Sequence, residues 1–146
     1  GEETRQIANP ITRKREVVHT YGWHLRQMIE ETRAKAATPV VLSLVPRKIW
    51  KDGKIRRESY VQWACEAARQ EHALFVNLNE IVAEQYDAMG PQTVDGLFGD
   101  PHTHTDLAGA KLNAKSVIEG LKGLKHDPLK RYLSKDGRRV KATSFR

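Results

Sequence analysis

The run Pro39-Val-Val-Leu-Ser-Leu-Val45, shut by Pro46, constrains the fold more than any other segment. It is short, β-branched and without polar alternation, which is the pattern of a strand buried on both faces. Such strands belong to parallel sheets, and parallel sheets need helices on each side. At seven residues it is also the longest apolar run, well short of the ~20 that a membrane span requires. No membrane partner is therefore expected.

The rest of the chain supplies matching elements. From Glu16 to about Ala37, Val17, Val18, Tyr21, Leu25, Met28, Ile29 and Ala36 recur at helical spacing among charged residues, predicting an amphipathic helix. A second helix is predicted over about 58–72, with Tyr60, Trp63, Ala64, Ala67 and Ala68 on one face. Leu74-Phe-Val-Asn-Leu78 reads as a second short strand. Asn79 is a candidate cap for a helix that ends at Gly90-Pro91. Residues 91–104 read as loop. Thr105 is the expected cap of a last helix to about Leu124, with Leu107, Ala110, Ala114, Val117, Ile118 and Leu121 inward. Alternating helices and strands of this kind predict an α/β layered domain over 1–124, followed by a basic tail over 125–146. Two strands are few for such a sheet, and the segments 5–19 and 138–145 are the candidates for more.

Charge sharpens that division. The chain holds 25 Lys and Arg against 18 Asp and Glu, a net charge of +7 and a pI near 9.7. Residues 122–146 alone carry nine basic and two acidic residues, which accounts for the whole excess. The high pI thus describes a tail rather than a basic domain surface, and nucleic acid is not the expected partner. The start, Gly-Glu-Glu-Thr-Arg, lacks the basic-then-apolar pattern of a secretory signal. The single cysteine, Cys65, leaves no internal disulfide framework or multi-cysteine zinc site. It falls on the apolar face of the second predicted helix, where a buried, inert thiol is expected.

The densest cluster of chemically capable side chains is Phe98-Gly-Asp-Pro-His-Thr-His-Thr105. Asp100 with His102 or His104 could form a carboxylate–imidazole general-base pair. In extended chain, four residues put side chains about 13 Å apart, so pairing requires a turn at 101–103, which Pro101 permits. His102 and His104 could instead share a metal with a third ligand, or the segment could simply cap the next helix. The residues alone leave all three open. The loop 47–57 follows a parallel strand, the end at which α/β folds place ligands. There Trp50 could stack on a sugar while Arg47 and its basic neighbours attract carboxylates. The competing reading is a solvated loop with Trp50 tucked against a helix.

His19-Thr-Tyr-Gly-Trp-His-Leu-Arg26, Ala37-Thr-Pro-Val-Val-Leu-Ser-Leu-Val-Pro-Arg47, Asn77-Leu-Asn-Glu-Ile81 and His102-Thr-His-Thr-Asp-Leu-Ala-Gly-Ala110 come in that order. Together they resemble the rhamnogalacturonan acetylesterase-like SGNH (GDSL) hydrolases over about residues 1–124. The resemblance implies a flavodoxin-like three-layer α/β/α fold and removal of acetyl groups from carbohydrate by a Ser-His-Asp triad, with no metal or other cofactor. It implies His104 as general base and Asp100 as its carboxylate partner, while the loop reading above offers Trp50 and Arg47 as candidate contacts to an acylated carbohydrate or other small ester. That family carries its nucleophile in a Gly-Asp-Ser segment and its oxyanion hole on a glycine and a Gly-X-Asn-Asp segment. In this chain the sole Gly-Asp, Gly99-Asp100, precedes proline, and no asparagine is followed by aspartate. The expectation is therefore the C-terminal half of the fold, with few parallel strands and no nucleophile segment. An exposed edge at 39–45 would favour self-association into a homo-oligomer. A non-catalytic remnant or binding module of the same fold is the alternative.

Overall fold

The computed structural model describes residues 4–143. Strands β1 (Thr4–Ala8) and β2 (Arg15–His19) come first, then helix α1 (Tyr21–Ala34) and strand β3 (Val40–Leu42). A two-strand hairpin follows, β4 (Trp50–Lys51) and β5 (Lys54–Ile55). The chain continues through α2 (Tyr60–Gln70), β6 (Leu74–Val76), α3 (Leu78–Met89), α4 (Pro91–Asp95) and α5 (Leu107–Lys122). A 3₁₀ turn (Lys130–Tyr132) and α6 (Lys135–Arg139) complete it. None of these helices is long and apolar enough to cross a membrane.

The centre is the parallel pair β3–β6, in register Val40 with Leu74, Val41 with Phe75 and Leu42 with Val76. Because successive strand side chains point to opposite faces, the pair feeds two cores. Val41 and Phe75 join Ile29, Ala64 and Ala68 beneath α1 and α2. Val40, Leu42 and Val76 join Leu78, Ile81, Val82, Tyr86 and Leu121 beneath α3 and α5. This is an α/β/α layering with few parallel strands, the fold class expected from the alternation of elements. The ladder runs one bond past β3, where the Ser43 N–H donates to the Val76 carbonyl at 3.1 Å.

The order of elements also sets which ends share a surface. The segments 20–21, 59–60, 77–78 and 106–107 begin α1, α2, α3 and α5, and α2 and α3 directly flank β6. The carboxyl ends of β3 and β6 therefore open onto the start of α3. There the Ser43 hydroxyl accepts the Asn79 N–H at 2.9 Å, and the Asn79 amide donates to the Leu44 carbonyl at 2.9 Å.

Several local expectations give way. The helix predicted from Glu16 starts at Tyr21, because Thr20 caps it by accepting the Trp23 N–H at 3.3 Å. Residues 15–19 are instead strand, paired antiparallel with 4–8 and not with the central sheet. Asn77, not Asn79, caps α3, accepting the Glu80 N–H at 3.2 Å. Asp106, not Thr105, caps α5, accepting the Gly109 N–H at 2.8 Å. The loop at 91–104 contains α4. Cys65 is exposed, not buried. The inward stripe of α5 is Gly109, Ser116, Gly120 and Leu121, while Leu107 is 72% exposed. The tail folds back on α5: the Thr143 N–H donates to the Glu119 carbonyl at 3.0 Å, and Lys122 donates to the Arg138 and Val140 carbonyls. Of the segment 138–145, a candidate for a further strand, residues 138–139 end helix α6 and 144–145 lie outside the described residues.

Candidate active site

The segment between α4 and α5 is shaped by one carboxylate. Oδ1 of Asp100 accepts three consecutive backbone N–H groups, from His102 at 3.0 Å, Thr103 at 2.6 Å and His104 at 3.0 Å. Pro101 has no N–H to compete and fixes its own φ, so the chain after Asp100 turns back over the carboxylate. The turn at 101–103 brings His104 round, and its Nδ1 lies 2.5 Å from Asp100 Oδ2. A bridge between Phe98 and Thr105 closes the base of the loop, where the Gly99 N–H donates to the His104 carbonyl at 2.8 Å.

The electrostatics follow from these contacts. The Thr103 and His104 N–H groups hold the Asp100 carboxyl well below the usual carboxylate range, against an opposing desolvation. The imidazole of His104 and the N–H of His102 add to them. An ionised Asp100 requires the Nδ1 of His104 to be the protonated nitrogen, which leaves Nε2 with a free lone pair. The His104 side chain is 83% exposed, so that lone pair faces solvent rather than the core. His102 is set apart: its Nδ1 lies 2.7 Å from the Thr103 hydroxyl. Among the described residues, no three His, Cys, Asp or Glu side chains gather closely enough to ligate a metal.

The second predicted group, the loop after β3, is docked against this one. The Lys48 N–H donates to the His102 carbonyl at 2.9 Å. The Lys48 ammonium pairs with Asp95 and lies 5.3 Å over the Phe98 ring. Lys48 is the residue that sequence reasoning passed over, grouped with its neighbours as one more loop cation. Its signal was proximity to the strand end alone. The hairpin β4–β5 turns on Asp52 and Gly53, both at positive φ, the conformation that an Asp-Gly pair favours between two strands.

Trp50, on β4, is half-buried and packs against the core that contains Ile55, Val82 and Tyr86. Arg47 pairs with Glu58 at 3.3 Å, as does Arg56 at 3.2 Å. Arg57 fastens the hairpin to α3, reaching Glu80 at 2.8 Å and Asp87 at 2.6 Å, while Asp87 also accepts the Ile55 N–H at 2.7 Å. Of the predicted site residues, the structure brings Asp100 and His104 into direct contact. Trp50 and Arg47 lie on the adjoining loop, each held by partners of its own.

The serines stand apart from the imidazole. Ser43 is 3% and Ser116 0% exposed, and both are committed to internal hydrogen bonds. Ser134 caps α6 by accepting the Gly137 N–H at 3.1 Å. None of the described serines hydrogen-bonds to His104.

No family model matches the chain. It is 23% identical over 124 residues to a rhamnogalacturonan acetylesterase of Emericella nidulans, covering 83% of this chain and 49% of that protein. Among solved structures, the protein YxiM of Bacillus subtilis matches with a TM-score of 0.63 and 23% identity, over 76% of this chain and 30% of the other. The chain therefore spans about half the length of the curated relative it matches. Taken with the layered core and the 98–105 loop, these likenesses support an SGNH-like relationship for an α/β chain of the same fold.

Proposed function

We propose that the chain carries the base half of a carboxylic-ester hydrolase that removes acetyl groups from carbohydrate. The observation that carries this reading is the Asp100–His104 pair, with its carboxylate ionised, its tautomer set and its imidazole open to solvent. The distant likeness to an acetylesterase supports it. In this reading Nε2 of His104 takes the proton of an attacking hydroxyl as that oxygen bonds to the acyl carbon and the carbonyl electrons move onto oxygen. When the tetrahedral intermediate collapses, the bond to the sugar oxygen breaks and Nε2 returns the proton to it. Asp100 holds the ring and stabilises the imidazolium that forms meanwhile. The attacking hydroxyl is not Ser43 or Ser116, which are buried. It is water, which releases acetate directly, or a serine outside residues 4–143, whose acetyl ester a water then attacks while Nε2 takes the water proton and returns it to the serine oxygen. Trp50 and Arg47, on the adjoining loop, are the proposed contacts to the sugar.

A second reading, a non-catalytic binding module, is favoured by one observation: no described serine reaches His104. Hydrolysis of p-nitrophenyl acetate by the chain and by its His104→Ala variant decides between them. Activity in the parent chain that falls with His104 supports the hydrolase. Equal, slow rates in both leave the binding module.

A further inference from the structure

The 98–105 loop builds the Asp100–His104 pair from its own atoms, but those atoms do not decide where the pair stands. The groups that bond to the Asp100 carboxylate belong to residues 102–104, two to four positions away. The base of the loop is held to α5. There the Asp106 N–H donates to the Leu97 carbonyl at 3.0 Å, and a Cβ on Gly109 would stand 2.3 Å from that carbonyl oxygen and 2.8 Å from Thr105 Cβ. The tip is held once. Among the described residues, the Lys48 N–H on the His102 carbonyl is the one hydrogen bond that ties residues 99–104 to an element outside the loop.

The Lys48 side chain grips the same segment further back. Its ammonium pairs with Asp95 at the end of α4 and lies 5.3 Å over the ring of Phe98, within reach of a cation–π attraction. The Phe98 ring in turn meets that of the buried Tyr86. One residue beyond β3 thus touches the segment before the loop, at its base and at its tip. The ion pair is lopsided, because the Lys48 side chain is 10% exposed and that of Asp95 is 75% exposed. Asp95 recovers its hydration if its partner is removed, so loss of the ammonium strands no buried charge. The contact orients the segment more than it stabilises the fold.

We propose that Lys48 is the positioning residue of this site, fixing the preassembled Asp100–His104 pair against the carboxyl end of β3. Lys48 touches no reacting atom and acts through Phe98 and His102. It also stands between Arg47 and Trp50 in the chain, so it sets the loop proposed to meet the sugar in register with the loop that bears the base. A reacting group misplaced by about 1 Å can cost about 10²-fold in rate. The catalytic consequence rests on the hydrolase reading above, whereas the placement of the pair does not.

The test is Lys48→Met, which keeps an apolar stem and removes the charge. Nitrogen-15 NMR of the histidine rings reads the His104 tautomer. Residual dipolar couplings read the direction of the 102–104 N–H groups relative to β3 and β6. The His104 ring signals are expected to stay as in the parent chain, because the pair is local. The three N–H vectors are expected to keep their mutual angles and turn together relative to the sheet, and the Lys48 N–H to exchange with solvent at least tenfold faster. For p-nitrophenyl acetate, kcat is expected to fall at least tenfold with KM within twofold, at an unchanged unfolding midpoint. Asp95→Asn, a change at an exposed position, removes the counter-charge and is expected to turn the vectors in the same sense. Vectors that stay in place in both variants overturn the proposal. So does loss of the His104 tautomer together with a lowered midpoint, which would make Lys48 a general support of the fold. Turned vectors with an unchanged kcat overturn it as well. If the parent chain and His104→Ala hydrolyse equally slowly, it is the hydrolase reading that fails, and the couplings alone then decide whether Lys48 places the pair.

Discussion

Gly120 of α5 lies so close to Val76 of β6 that a methyl group on its Cα would stand 2.2 Å from Val76 Cγ1 and 3.0 Å from Ile81 Cδ1. Glycine inside a helix ordinarily costs up to about 1 kcal/mol relative to alanine. Here the close approach of helix to sheet outweighs that gain. Val76 has little freedom to turn aside, since a β-branched side chain is stiff about its first torsion. Gly120→Ala is expected to destabilise the fold by about 1–3 kcal/mol through overpacking, measured as a lower midpoint in urea.

Arg57 joins the β4–β5 hairpin to α3 through two carboxylates, and its loss strands both. Arg57→Met is expected to cost roughly 1.5–3 kcal/mol, the range for hydrogen bonds to charged groups. The pH dependence has a definite sign. Burial raises the Asp87 carboxyl, but the Ile55 N–H and Arg57 outweigh it and hold it low. Its contribution is then fully present above the unfolded value of about 3.9 and is lost as pH falls below it. Urea midpoints measured down the acid limb should fall more steeply for the parent chain than for Arg57→Met.

Asp100→Asn separates the two oxygens of that carboxyl. The remaining Oδ1 still collects three N–H groups, so the loop is expected to persist. The new amide, however, presents N–H to His104 Nδ1 and reverses the tautomer, placing the proton on Nε2. Ester hydrolysis that depends on this pair should drop by about 10²–10⁴ in kcat/KM, with little change in the unfolding midpoint. In the parent chain, carbon-13 NMR of the Asp100 carboxyl should show it still ionised at pH values where ordinary carboxylates titrate.

Tyr86 is fully buried, its ring 5.9 Å from that of Phe98, and its hydroxyl has no hydrogen-bond partner among the described residues. Burial pushes that hydroxyl up to about 12. Tyr86→Phe removes an unsatisfied polar group from an apolar core, so stability should stay level or rise by about 1 kcal/mol. Ultraviolet titration should also show one tyrosine fewer among those that ionise late.

How far the fold was legible depended on where side chains spoke for their positions. Val41, Ala64, Ala68, Ile81 and Tyr86 did so, and the β3–α2–β6–α3 succession follows from them. The phase of α5 was only partly legible from hydrophobicity: Val117 and Leu121 pack on the core as expected, but its closest contacts are made by Gly109, Ser116 and Gly120. Those residues face inward for their small size, while Leu107 and Ala110 face out. The segment 5–19 was a strand candidate, but over 16–19 a helix competed with it: Val17, Val18 and Tyr21 also fit a helical spacing, and the Thr20 cap alone marks the boundary. The Asp52-Gly53 hairpin carried a signal in its own dipeptide. At the site, the Asp100-Pro101 step announced a turn, but three N–H groups converging on one oxygen is a three-dimensional fact. The place of Lys48, with its N–H on the His102 carbonyl, is another.

The hydrogen bond between Ser43 and Asn77 also bears on how the molecule assembles. The two residues are 34 positions apart in the chain and meet where β3 and β6 end. Bringing them together costs about 3 kcal/mol of loop-closure entropy before the sheet gives anything back. The 98–105 loop closes over a few residues and faces no such search. In refolding, the turn around Asp100 should therefore be a local and early event, while its attachment to the molecule through Lys48 waits for the slower, non-local closure of the sheet.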